Sequence, residues 1–223
     1  MRKTTSFTAL LPLVATCLLP LQIALAQEKE SKQVMITHSL LDVEVKHNGK
    51  DVKIMRAQDK SNEIVAFYRK TTRGSIQAMF PFEPHKVETI GEREMIDYIK
   101  KMSDGDESII VIDSRTPAWV ERSGMIPGAV NIPFTQFKES SSTLEIMEDQ
   151  FDVITGETFD YSNAKTLVMY CNGAWCGQSP TAIRKLLAMG YPAAKIKYYR
   201  GGMQSWASLG LTVITADKDK KAK

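Results

Sequence analysis

The sequence predicts an α/β fold, a parallel sheet flanked by helices on both faces, with a small β-rich extension at its N-terminal side. Three observations carry this. From Thr89 onward, short apolar runs alternate with helical patterns, as in strands joined by crossover helices. The runs 108–113 and 166–170 are apolar almost throughout, as strands covered on both faces must be. Asn48-Gly49 separates two alternating segments, which signals a hairpin and not another crossover.

Residues 1–26 have the pattern of a secretory signal peptide. Arg2 and Lys3 form a basic start, 9–26 are nearly all apolar, and Ala24-Leu25-Ala26 is a small-x-small cleavage site. Pro12, Pro20 and Gln22 interrupt the apolar stretch, which is short for a membrane span. The expectation is export, to a periplasm, with no stable membrane insertion after cleavage. Removal of Arg2 and Lys3 lowers the formal charge of +3 by two, so nothing in the composition suggests a nucleic-acid surface. The remaining length suffices for one domain with a core plus an extension. Residues 216–223 read as a flexible charged tail.

Residues 27–88 form the β-rich extension. With Asn48-Gly49 as a type I′ turn, Val45 falls opposite Val52 and Val43 opposite Ile54, all on one face. Ile64-Val65-Ala66-Phe67-Tyr68 predicts a third strand. Gly74, Pro81 and Pro84 mark 73–86 as a connection. Residues 89–215 form the main domain. Thr89-Ile90-Gly91-Glu92 reads as a capping box, followed by Met95, Ile96, Ile99 and Met102 on one helix face. After strand 108–113, Val130-Asn131-Ile132-Pro133 is a brief extended piece. Leu144, Ile146, Met147, Phe151 and Ile154 suggest an irregular helical region. Strand 166–170 runs into Cys171. The following helix has Ser179 as N-cap, Pro180 at its first position and Gly190 as its stop. A strand at 195–199 and a last short helix, bearing Trp206 and ending at Gly210, complete the chain.

Cys171 thus sits where a strand ends, on a tight loop that opens into a helix. Loop and first-turn N–H groups, with the positive end of the helix dipole, favour a negative sulfur there. Of the three cysteines, only Cys171 and Cys176 remain after cleavage. Nearby thiols in an oxidising compartment tend to pair, yet a staple closing so small a loop restrains little of the unfolded chain. Asn172-Gly173 suits the positive φ of a curled anion cradle. Two cysteines without nearby His or Asp fall short of a closed metal site, so no metal is expected. His38, His47 and His85 read as surface polar residues.

Four ordered pieces resemble the rhodanese family of sulfurtransferase domains, over about 89–215. They are Asp113-Ser114-Arg115, the 123–133 run containing Ile126-Pro127-Gly128-Ala129 and Asn131-Ile132-Pro133, the Cys171 loop, and Arg200-Gly201-Gly202 with Trp206 and Gly210. The resemblance implies that sulfane sulfur from thiosulfate, a polysulfide or a persulfide is carried as a Cys171 persulfide to a thiol or cyanide. It implies no cofactor. Asn172, Gly173, Ala174, Trp175, Cys176 and Gly177 would cradle the substrate, with Asp113 and Arg115 supporting the loop scaffold. The six-residue loop from Cys171 to Cys176 matches sulfurtransferases. Related phosphatases use a longer loop ending in Arg, where this chain has Gly177. The loop carries no Lys or Arg, so charge for an anionic donor would come from Arg73, Arg184 or Arg200. Three roles stay open for Cys176: it resolves the persulfide, protects Cys171 by reversible pairing, or packs under the loop. Two other functions remain as rivals, a thiol–disulfide redox protein using the Cys171/Cys176 couple and a non-catalytic rhodanese-like binding module. The partners implied are a small sulfur donor, a thiol acceptor and another exported thiol protein.

Overall fold

The computed structural model describes residues 32–215. The signal-peptide and tail segments expected from the sequence lie outside them. From Gln33 on, the described residues belong to one compact unit.

Its frame is a five-stranded, wholly parallel sheet. The strands are β3 (Glu88–Ile90), β4 (Ile109–Asp113), β5 (Val130–Asn131), β6 (Thr166–Tyr170) and β7 (Ile196–Tyr199), in the order β3-β7-β6-β4-β5. Strand β6 is central, paired with β4 along its whole length and with β7 from Leu167 to Tyr170. Period-two alternation sends its side chains to two separate cores. Leu167 and Met169 join Ile196 and Tyr198 under α3 (Ser140–Phe151) and α4 (Gln178–Ala188). Val168 and Tyr170 join Tyr199 under α1 (Glu92–Ser103) and α5 (Gly202–Ser208). Helices thus cover both faces, as the sequence predicts. Among the described residues, no helix is long and apolar enough to cross a membrane.

The hairpin forms in the predicted register. Strands β1 (Asp42–His47) and β2 (Lys50–Met55) pair Val45 with Val52 and Val43 with Ile54. Asn48 and Gly49 take φ of 50° and 74°, as a type I′ turn requires. The hairpin lays Val43, Val45 and Ile54 onto the core that holds α1 and α5. Ile54 is fully buried, which contributes roughly 1.5–3 kcal/mol of hydrophobic stabilisation.

Several local expectations are corrected. Residues 64–68 form no strand. The chain makes a 3-10 turn at Ala66–Arg69, leaving Val65 exposed and Tyr68 buried, only 2% exposed. Thr89 pairs with Tyr198 in the sheet, so the α1 cap falls two residues later, at Gly91, whose N–H donates to the Glu94 carboxylate at 3.0 Å. Helix α3 is regular up to Phe151, and Ile154 lies outside it, exposed. A short helix, α2 (Pro117–Ser123), has no counterpart in the sequence reading because it holds too few residues to show a period. His47 is buried, and its Nδ1 accepts the Gly128 N–H at 3.1 Å. His38 and His85 are exposed.

Candidate active site

Strand β6 delivers Cys171 at the C-terminal edge of the sheet, where ligands of open parallel sheets bind. The loop 171–177 is held from below by α5. Met203 N–H donates to the Cys171 carbonyl at 3.0 Å and Gln204 N–H to the Asn172 carbonyl at 2.8 Å. This approach requires glycine at 202. Its φ is +54°, and a Cβ there would lie 2.4 Å from the Cys171 carbonyl oxygen. The Gly201-Gly202 pair therefore shapes the loop directly. Cys176 N–H donates to the Gly173 carbonyl at 2.8 Å, which closes the loop.

Neither Asn172 nor Gly173 takes the positive φ expected of them. Glycine at 173 answers a steric demand instead: a Cβ would meet Gln204 Oε1 at 3.0 Å and Trp175 Nε1 at 3.2 Å. Helix α4 also begins earlier than expected, with Gly177 as its N-cap. Ser179 is consequently inside the first turn, fully buried, and its hydroxyl has no hydrogen-bond partner in the structure. Its backbone N–H, and after it the nearby hydroxyl that falls short of a hydrogen bond, favour the charged form of the Cys171 sulfur. A capping signal in the sequence thus conceals a residue of the site.

Cys171 and Cys176 are both buried and neither is in a disulfide. Burial pushes the Cys171 thiol well above its usual range, and the neighbouring Cys176 sulfur adds to this. The Cys171 thiol, with backbone N–H groups of Asn172 and Gln178 and the Asn172 side chain, brings Cys176 down to about 7 against burial. The pair ionises as a unit: one proton leaves readily, the second resists. Cys171 Sγ lies 3.6 Å from the Cys176 carbonyl oxygen, and Cys176 Sγ lies 3.8 Å from both Asn172 Nδ2 and Gln178 Oε1.

Asp113 and Arg115 form an ion pair with no exposed side-chain surface, at 2.5 Å. Arg115 Nε also reaches Asp113 Oδ1 at 2.8 Å, Nη2 donates to the Gly124 carbonyl at 2.6 Å, and Nη1 to Ser123 Oγ at 2.6 Å. Burial works against the guanidinium charge, and the Asp113 contacts more than offset it, holding its pKa above the usual value. The remaining Nη1 contact is to the Tyr68 hydroxyl at 3.3 Å, which in turn lies 3.0 Å from Asn172 Oδ1.

Tyr68 belongs to a strap, residues 64–77, that runs over the loop. Gln77 N–H donates to the Ala174 carbonyl at 2.8 Å. Gln204 bridges the Tyr68 carbonyl, at 2.8 Å, and Trp175 Nε1, at 2.6 Å. The Arg73 guanidinium lies 5.1 Å from the Trp175 ring centroid and 5.8 Å from that of Trp119. Of the three basic residues considered for an anionic donor, Arg73 is the one stacked on a loop side chain. Arg200 binds the Gln77 carbonyl at 2.8 Å and Arg184 the Pro81 carbonyl at 3.2 Å.

Comparison with known proteins completes the description. The profile of the rhodanese-like domain family matches residues 95–209. An HTH-type transcriptional regulator of Mycobacterium tuberculosis is 30% identical over 105 residues, which are 47% of this chain and 37% of that protein. The chain therefore spans little more than a third of that relative. A solved single-domain sulfurtransferase of Saccharomyces cerevisiae is 17% identical, with a TM-score of 0.40, over 58% of this chain and 95% of its own. A possible tyrosine phosphatase of Rhodopseudomonas palustris is 21% identical, with a TM-score of 0.41, over 57% and 85% of the two chains. The family profile takes in just over half of the 223 residues, and the chain belongs to the rhodanese-like domain family.

Proposed function

We propose that this protein is an exported sulfurtransferase that carries sulfane sulfur on Cys171. The observation that supports this most is the placement of Cys171 at the end of β6, facing the first turn of α4, with the Ser179 N–H and unpartnered hydroxyl beside its sulfur. The pair Cys171/Cys176 loses one proton, and proton exchange between the two sulfurs delivers the thiolate to Cys171. That thiolate attacks the outer sulfur of thiosulfate, a polysulfide or a persulfide. The donor leaves as sulfite or a shortened sulfide, and Cys171 is left as the persulfide. An acceptor thiol or cyanide then takes the outer sulfur and restores Cys171. Donors at the loop, namely the N-terminal amides of α4 and the Ser179 hydroxyl, favour negative charge on the bound sulfur. Thiosulfate would take its counter-charge from Arg73, whereas a neutral or thiol-bound donor would pack on Trp175. Export rests on the signal-peptide pattern of residues 1–26.

The test is direct. The reduced protein, treated with thiosulfate or polysulfide in the presence and absence of cyanide, is weighed intact. A gain of about 32 Da, absent from Cys171→Ser and removed by cyanide, is the expected result for a thiolate nucleophile. Equal labelling of wild type and Cys171→Ser would reject it.

A further inference from the structure

A directional chain of hydrogen bonds ends on Cys176, and its direction is fixed at its source. Arg115 carries only donors, so its Nη1 must donate to the Tyr68 oxygen at 3.3 Å. The Tyr68 hydroxyl then spends its single proton on Asn172 Oδ1 at 3.0 Å. With its oxygen so engaged, the Asn172 carboxamide presents Nδ2 to Cys176 Sγ at 3.8 Å. Arg115, Tyr68 and Asn172 are all at least 98% buried, so water does not compete for these groups. Every bond in the chain points a positive hydrogen toward Cys176. Gln178 Oε1, 3.8 Å from the same sulfur, accepts while Cys176 is a thiol.

In the resting pair, the Cys171 thiol is a further donor at Cys176, with its Sγ 3.6 Å from the Cys176 carbonyl oxygen, and it favours the Cys176 thiolate. Once Cys171 carries an outer sulfur, that donor is gone, and the Asn172 carboxamide is the side chain left to favour a Cys176 thiolate. The two cysteines face each other across the closed loop, with Cys171 Sγ 3.6 Å from the Cys176 carbonyl oxygen. We propose that Tyr68 is a positioning residue which, by orienting the Asn172 carboxamide, poises Cys176 to resolve the Cys171 persulfide and release sulfide. This rests on the sulfurtransferase reading and goes beyond it by naming the acceptor. Tyr68 lies outside the family-matched residues 95–209, so this feature belongs to this chain's own N-terminal segment.

The step balances. The Cys176 thiolate attacks Cys171 Sγ. A bond forms between the two cysteine sulfurs, and the bond from Cys171 Sγ to the outer sulfur breaks. The electron pair and the persulfide proton leave with the outer sulfur as hydrosulfide. The outer sulfur is reduced and the two cysteine sulfurs are oxidised to a disulfide. An external dithiol, small or protein-borne, exchanges with that disulfide, becomes oxidised and returns both thiols. The overall acceptor is thus a dithiol reductant, and the product is sulfide.

The experiment uses the full chain, loaded with thiosulfate, freed of small molecules and left without added thiol. Released sulfide and intact mass are followed in wild type, Cys176→Ser and Tyr68→Phe. Wild type is expected to release about one sulfide per loaded chain and to settle two hydrogens below its reduced mass. Cys176→Ser lacks the sulfur that shares its proton with Cys171 and is loaded to completion at higher pH and with longer exposure; each chain that loads should then keep its outer sulfur. Tyr68→Phe should load like wild type but release sulfide about fivefold more slowly, the effect of one lost buried hydrogen bond. A general structural role for Tyr68 would instead depress loading and release together. Wild type that keeps its outer sulfur as long as Cys176→Ser does, or Tyr68→Phe that releases at the wild-type rate, overturns the proposal. Failure of wild type to load would reject the sulfurtransferase reading itself. The wild-type mass alone decides the resolving step if a variant does not fold.

Discussion

Cys176 ionises near 7 and Cys171 well above the ordinary thiol value of 9, which links this site to stability as well as to chemistry. Between about 7 and 9, folded Cys176 has lost a proton that the unfolded chain still holds, so stability rises with pH across that window. Below it, both states keep the proton and the contribution vanishes. Above 9 the sign reverses through Cys171, which stays protonated in the folded state while the unfolded thiol ionises. Urea unfolding of the reduced protein should therefore show a gain of about 2 kcal/mol from pH 7 to 9, absent in Cys176→Ser. A flat profile would argue against the coupled pair. At this scale Cys171 is legible in the sequence because strand, glycine-rich loop and helix follow one another without a gap. Tyr68 is not, since nothing in an apolar pentad marks which residue turns inward or reaches a partner 104 positions away. Ser179 is half legible. Its capping chemistry is visible, but the start of α4 at Gln178, two residues upstream of Pro180, is decided by the loop geometry.

Among the elements, α5 and the 64–77 strap are the two that shape the loop. Helix α5 meets it backbone to backbone, through Met203 and Gln204 N–H groups. Gly202→Ala places a Cβ 2.4 Å from the Cys171 carbonyl at a φ of +54°. The strain, on the order of 1–3 kcal/mol, must be relieved by moving the loop. We expect a lower melting temperature and a sulfur-transfer rate reduced by more than tenfold. Activity like that of wild type in this variant would show that the loop tolerates displacement. The strap is the element the sequence misplaces. Ile64 and Val65 favour a strand, but β3 and β5 occupy the sheet edges and 64–68 pair with neither. The segment instead makes its 3-10 turn and spends its side chains on the loop. The hairpin was legible down to its register, because Asn48-Gly49 and the valine alternation fix it locally.

For the molecule as a whole, the five-stranded order and the two-sided cover follow from alternating strand and helix patterns, which is why the fold class was readable. The dependence on the N-terminal segment was not, because burial between distant segments leaves no periodic trace. That segment supplies β3, the hairpin and Tyr68 to the core shared by α1 and α5. A chain starting at 92 would uncover that core and strand Arg115 and Asn172 without Tyr68. It is expected to bind a hydrophobic dye and to lack the near-ultraviolet dichroism of a packed interior. A truncated chain with a sharp, cooperative melt would refute this.

The Tyr68–Asn172 contact also sets a clock for biosynthesis. Its two ends are 104 residues apart. At ribosomal rates, the first partner waits for several seconds or more before the second is made. During that interval Tyr68 has no Asn172 to meet, and the thiol pair itself is not yet translated. The two cysteines and Tyr68 therefore come together only after residue 176 has been made.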